Sequence, residues 1–483
     1  MKNIRYIIVA LFVAFSAAAG VAQTALSSYF LDGTLYNSKL NPAMDAESNY
    51  VSIAVGNLSL RTKGNVGVST FLYPRGENEL ATFMSGSVGK EEFLGKLPEV
   101  SRMGFNLDET LMAGGFRALG GYGSVGISLH SSVAVSLPKG LFEFAKNGLQ
   151  KKAYSFSGVN INTMNYAAVT LGYSREVIMG LRVGANIKYL QGLAHADINI
   201  DKLNVELNDQ HWLAESHATA QVAMFCEAKP TYKDDVVNGV ELIGFVPKSS
   251  GFGVDLGAVY DMAEFVPGLK VSASVVDLGF IHWKHMMKGQ STDAKVEFDG
   301  FDEIDYNDMA TSVDAEFEKL GNDAAKMVEF NYDGSEAVNT RLNTTMYVGA
   351  EYNMPFYDKL SVGALYGQCF SPFECNRWFD ARGFVNVSPL SWFEATVNCG
   401  YTSYGTSLGW MLNFHPAGIN FFIGSDHMIT RVTPQFIPLN DLNTHLTLGI
   451  NIAIGKTNRH AKKSKTVKAN KPQQPQETSE SEK

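Results

Sequence analysis

The feature that most constrains this chain is a two-residue rhythm of greasy and small side chains. Within residues 122–137, Val125, Ile127, Leu129, Val133, Val135 and Leu137 share one face, whereas Ser124, Gly126, Ser128, His130 and Ser132 share the other. Residues 181–191 set Leu181, Val183, Ala185, Ile187 and Tyr189 against Arg182, Gly184, Asn186 and Lys188. The stretch from Leu446 to Ile454 opposes Leu446, Leu448, Ile450, Ile452 and Ile454 to Thr447, Gly449, Asn451 and Ala453. A period of two belongs to a strand, whose successive side chains leave the backbone on opposite sides. In a soluble sandwich the second face meets bulk water and carries many charges. Here it is small and weakly polar, and only 18% of 483 residues are charged. That partition fits a barrel whose greasy face meets lipid and whose other face lines a lumen. The backbone must then close on itself, because lipid offers an open sheet edge no hydrogen bonds. We therefore expect an all-β fold, a transmembrane antiparallel β-barrel of about 14 strands within a range of roughly 12–16.

The ends of the chain read differently. Lys2 and Arg5, an apolar stretch to Phe15 and small residues up to Ala22 form a cleavable export signal over residues 1–22, so the barrel is expected over 23–455. No later apolar run reaches the length of a membrane-spanning helix. Residues 456–483 hold eight basic and three acidic residues and almost no large apolar ones, the composition of a disordered basic tail. With the two basic residues of the leader also removed, the formal net charge of −9 becomes −16 for residues 23–455. Such acidity excludes a dedicated nucleic-acid binder, which needs clustered Lys and Arg.

Two stretches break the strand rhythm. Leu137-Pro138-Lys139-Gly140 leads into Leu141, Phe142 and Phe144 and stops at Asn147-Gly148, which reads as a short helix. Met309, Val313, Phe317, Leu320, Ala324 and Met327 recur at helical spacing inside a long acidic loop, residues 284–340.

Candidate chemistry is sparse. Gly121-Tyr122-Gly123-Ser124-Val125-Gly126 spells a dinucleotide-binding pattern, but a strand follows it where the pyrophosphate needs a helix N-terminus. Asp299, Asp302, Asp305 and Asp308, with Glu297 and Glu303, lack the ligand order of a calcium loop and read as a solvated acidic loop. Cys226, Cys369, Cys375 and Cys399 show no metal-ligand spacing; Cys369 and Cys375 are close enough in sequence for a loop-closing disulfide. No GxSxG elbow occurs, and His130, His195, His282 and His285 show no partners in the sequence. No catalytic residue, cofactor site or metal site is expected, and the chain is read as a non-enzyme. The residues to watch are polar ones within strands: His130, Arg182, Asn186, Lys188, Asp255, Asp277 and Glu351. In lipid the charged members would cost several kcal/mol, so all are expected to face the lumen.

Asn41-Pro42-Ala43, GFRALGGYGSVGISL at 115–129, LPKGLFEFAKNG at 137–148, LRVGANIKYLQGLA at 181–194, GFGVDLGAVY at 251–260 and SVVDLGFIHW at 274–283 follow one another in an order that resembles a family of uncharacterised outer-membrane barrels. That family is thought to be related to long-chain fatty-acid transporter barrels and to barrel components of the type IX secretion machinery. The resemblance spans most of residues 30–455. It implies a barrel of about 14 strands in the outer membrane of a Gram-negative-type bacterium. It also implies that the segment 23–47, with Asn41, Pro42 and Ala43, enters the lumen as a plug. By that analogy the protein binds or passes a hydrophobic small molecule, with outer-membrane lipid around it. The alternatives are an adaptor barrel of a secretion or surface-assembly complex, meeting a protein partner through 284–340, and a lipid-active hydrolase.

Overall fold

A computed structural model describes residues 25–46, 48–75, 80–147, 153–207, 212–225, 227–233, 236–243, 248–291, 294–298, 330–373, 376–427 and 443–455. The export signal, the helix expected within 307–328, most of the acidic cluster, Cys226, Cys375 and the basic tail lie outside the described residues, as does most of the partner surface expected in 284–340.

Fourteen strands close into an antiparallel barrel. In chain order they are β1 (Asn49–Gly64), β2 (Val100–Ala118), β3 (Gly121–Pro138), β4 (Val159–Ile178), β5 (Leu181–Leu207), β6 (Ser250–Asp261), β7 (Leu269–Ser291), β8 (Thr344–Asn353), β9 (Leu360–Phe370), β10 (Trp378–Leu390), β11 (Phe393–Thr402), β12 (Gly405–Phe414), β13 (Asn420–Ser425) and β14 (Thr444–Ile454). Each pairs with its sequence neighbour in the wall, and β14 returns to β1 with Tyr50 opposite Ala453 and Leu60 opposite Leu446. Closure leaves no edge, as a wall in hydrocarbon requires. The alternation read from the sequence sets the two faces. Ile127, Leu171, Ile187, Leu256, Val397 and Ile450 are exposed on the outside, whereas Ser128, Asn186, Asp255, Asn398 and Asn451 are buried within.

Local chemistry explains the turns at one end. Leu119 and Gly120 both take left-handed backbone angles, φ 51° and 76°, between the paired residues Ala118 and Gly121. A two-residue hairpin with positive φ at both positions matches the twist of the strands it joins, and glycine enters that region without a Cβ penalty. The opposite end carries the long connections. There, residues 65–75 and 80–99 form an outlying layer with a helix at Lys139–Asn147, and the rings of Phe71, Phe83, Phe93 and Phe142 pack together. The sequence rhythm places a strand across 64–73, but residues 68–71 form a single helical turn in this layer. The apolar residues there pack into the aromatic cluster and not into the wall.

The long loop expected from Lys284 begins later than the sequence indicates. Strand β7 continues to Ser291, because the buried side chains of Trp283 and Met286 pack with Leu190, Ile281 and Leu342. Above β6 its place beside β5 and β7 is taken by Trp212–Met224, and above β8 its place beside β7 is taken by Phe330–Arg341. The wall is thus taller on this side.

Candidate functional site

The interior is occupied from the short-turn end by residues 25–46, mostly buried and nowhere fully exposed. Two 3₁₀ turns, Leu26–Ser28 and Asn37–Lys39, compact the segment. Wall residues from around the ring satisfy its backbone. The Asp426 carboxylate accepts the Leu26 N–H at 2.9 Å, the Ser27 N–H at 2.8 Å and the Ser27 hydroxyl at 2.6 Å, and also binds Arg61. Glu394 accepts the Gly33 N–H at 2.9 Å. Ser274 donates to the Leu40 carbonyl at 2.6 Å, and the Tyr36 hydroxyl donates to Asn451 at 2.7 Å. Burial holds the Tyr29 and Tyr36 hydroxyls above the ordinary tyrosine range, so both stay protonated.

Asn41, Pro42 and Ala43 make a tight turn against the wall. Asn41 accepts the Ala43 N–H at 3.0 Å and donates to the carbonyls of Ala258 and Ala273. Opposite them the wall carries glycine. A Cβ on Gly184 would lie 2.1 Å from the Pro42 carbonyl oxygen, and one on Gly257 would lie 2.1 Å from Asn41 Oδ1. The turn fits because those side chains are absent.

Above the segment lies a cavity of about 190 Å³. Of the polar strand residues singled out in the sequence, His130, Asn186, Lys188, Asp255 and Asp277 line it. Lys188 bridges Asp255 and Asp277, each at 2.7 Å, and Asn186 donates to Asp255 at 2.9 Å. A bulge creates this cluster. Val276 and Asp277 of β7 stand against the single Asp255 of β6, Asp277 takes φ 59°, and both bulged residues line the cavity. Arg182 and Glu351 are elsewhere. They line a separate recess of about 290 Å³ at the short-turn end, where Arg182 binds Asp45 at 2.9 Å and Glu351 accepts a hydrogen bond from Ser361 at 2.7 Å.

Sequence reasoning missed Lys39, Asp108, Tyr166, Asn376 and Trp378, which also line the cavity. Lys39 binds Asp108 at 2.7 Å. A charge in an alternating strand would have revealed Asp108, the same signal that revealed Arg182. Asn376 lies in the connection after β9 and carries no periodic signal.

His130 does have partners, contrary to the sequence reading. Its Nε2 lies 2.7 Å from Ser128 Oγ and its Nδ1 lies 3.4 Å from Asp108 Oδ2. These three resemble a nucleophile, a base and an orienting carboxylate. Ser128, however, is mid-strand, paired with Thr110 on one side and Ala168 on the other. Flanked by strands on both sides, it stands on a flat wall rather than at a turn or helix N-terminus, where backbone N–H donors could be aimed at a developing oxyanion. A second set, Ser59, His445 and Asp426, is fully buried, with Asp426 already bonded to the N–H groups of Leu26 and Ser27.

A cleft of about 1510 Å³ adjoins the cavity on the taller side of the wall. Its lining includes the outward-facing Phe252, Leu278 and Phe280, and it shares Cys369 and Trp378 with the inner cavity.

These features define a class: a closed barrel with an apolar outer face, whose lumen holds its own N-terminal segment beneath a charged cavity. The chain belongs to a family of unknown function, DUF5723, whose profile matches residues 42–426. Comparison with curated protein sequences returns no match. Among solved structures the chain is similar to the toluene transporter TbuX of Ralstonia pickettii, at 11% identity over 88% of this chain and 96% of that one, with a TM-score of 0.39. It is also similar to the toluene transporter TodX of Pseudomonas putida, at 8% identity over 90% and 94% with a TM-score of 0.36. A FadL homologue of Pseudomonas aeruginosa follows, at 10% identity over 90% and 98% with a TM-score of 0.35.

Proposed function

We propose that the protein sits in a bacterial outer membrane, plugged by residues 25–46, and binds or passes a small hydrophobic molecule without chemical conversion. The short turns then face the periplasm and the long connections face outward. The observation that carries this reading is the sharing of Cys369 and Trp378 between the inner cavity and a cleft edged by lipid-facing Phe252, Leu278 and Phe280. An apolar solute in the wall region has a route to the cavity that avoids bulk water, while the N-terminal segment bars an aqueous pore. The sequence resemblance to fatty-acid transporter barrels supports the same reading.

Mass spectrometry of the detergent-purified protein tests it. A small apolar molecule should be released on denaturation. The Cys369→Trp variant, which fills the junction, should carry less than a tenth as much while keeping the heat-modifiable gel mobility of a folded barrel. Release of nothing but detergent from the native protein would contradict it.

A further inference from the structure

The lining of the inner cavity assigns a narrower class of ligand, and the inference rests on the binding reading given above. We propose that the cavity takes a ring-sized, uncharged molecule that carries a hydrogen-bond donor, such as a phenol.

Size sets the first limit. About 190 Å³ is close to the cavity that holds a single benzene, roughly 150 Å³, so the inner cavity seats one ring and not the whole of a long acyl chain. Leu40, Met164, Tyr166, Val276, Tyr347 and Trp378 supply the apolar side of the lining.

Charge sets the second. Lys39, Lys63 and Lys188 face Asp108, Asp255 and Asp277, so the lining is balanced. Lys39 and Lys188 are already held by these carboxylates at 2.7 Å. An anionic ligand would lose its hydration without gaining a spare counter-charge.

Unmet acceptors set the third. Asn376 is 2% exposed, lines the cavity, and its Oδ1 has no partner among the described residues. The orientation of this amide follows from its neighbours. Asn162 turns its Nδ2 to Asp197 at 3.4 Å and so presents Oδ1 to Asn376, which must answer with Nδ2, at 3.2 Å. The Asn376 oxygen is left over. Asp277 also gives Lys188 only one carboxylate oxygen, and its side chain is 32% exposed. A buried acceptor without a donor is costly, and a ligand hydroxyl or amide N–H removes that cost.

The matched pair p-cresol and p-xylene isolates the donor, since one exchanges a hydroxyl for a methyl. A phenol stays neutral at pH 7, as a tyrosine side chain does. Titration calorimetry on the full-length protein in detergent should show p-cresol binding about tenfold more tightly than p-xylene, with 4-methylbenzoate weakest. Asn376→Leu should bring p-cresol down to the affinity of p-xylene and leave p-xylene unchanged. If wild-type protein binds p-xylene as tightly as p-cresol, the donor requirement is wrong while the binding reading stands. If it binds 4-methylbenzoate best, the charge argument is wrong. If it binds none of the three, the binding reading fails and this inference fails with it.

Discussion

The two halves of the barrel interior are built on opposite principles. In the short-turn half the N-terminal segment is held by wall side chains: Glu394 accepts the Gly33 N–H and Asn451 accepts from the Tyr36 hydroxyl. In the half above, a bulge at Val276–Asp277 pushes an extra side chain inward, and a cavity remains with the Asn376 oxygen unmet among the described residues. The lower half is therefore a seal and the upper half a site. The contrast teaches that polarity in a lumen has no single meaning: turned onto a backbone it locks a segment in place, and turned into a cavity it is left for a solute.

Paired substitutions can break this comparison. Asp426→Ala should cost about 3–5 kcal/mol in denaturant unfolding, because it removes the buried carboxylate that binds Arg61 and accepts the N–H groups of Leu26 and Ser27. Asp277→Ala should cost only about 1 kcal/mol, since Lys188 keeps Asp255 and the lost carboxylate was partly exposed. Equal losses would erase the distinction between seal and site.

The smallest expected effect concerns His415, in the turn after β12. Burial lowers its pKa below that of a free histidine, and it lies 3.9 Å from the Glu394 that holds Gly33. The folded state thus binds this proton less readily than the unfolded state. Its contribution to stability is complete above the ordinary histidine pKa of about 6.5 and declines as pH falls below that value. The unfolding midpoint should drop between pH 7 and pH 5, and the drop should be smaller in His415→Asn. An identical drop in both proteins would show that His415 plays no part.

The wall was legible because a closed barrel with an apolar outside and a polar inside imposes a simple rule on every second residue. Leu181 to Lys188 displays it without help from any other part of the chain, and the Leu119-Gly120 turn follows from the backbone angles a tight hairpin needs. The site was only half legible. Lys188, Asp255 and Asp277 stand out as charges within strands, but nothing local says that Arg182 reaches Asp45, since that pairing depends on how the N-terminal segment threads the lumen. The bulge at Asp277 leaves no sequence mark, for its cause is the mismatch between two paired strands. Asn376 was invisible for a related reason: it lies outside any periodic stretch, and its importance comes from the amides around it.

Conductance in planar bilayers tests the central claim most directly. The account predicts that the full-length protein passes almost no ion current and that deleting residues 25–46 yields steady open steps from a barrel that still folds. Steady open steps from the intact protein, or a silent deletion variant of proven barrel fold, would contradict it.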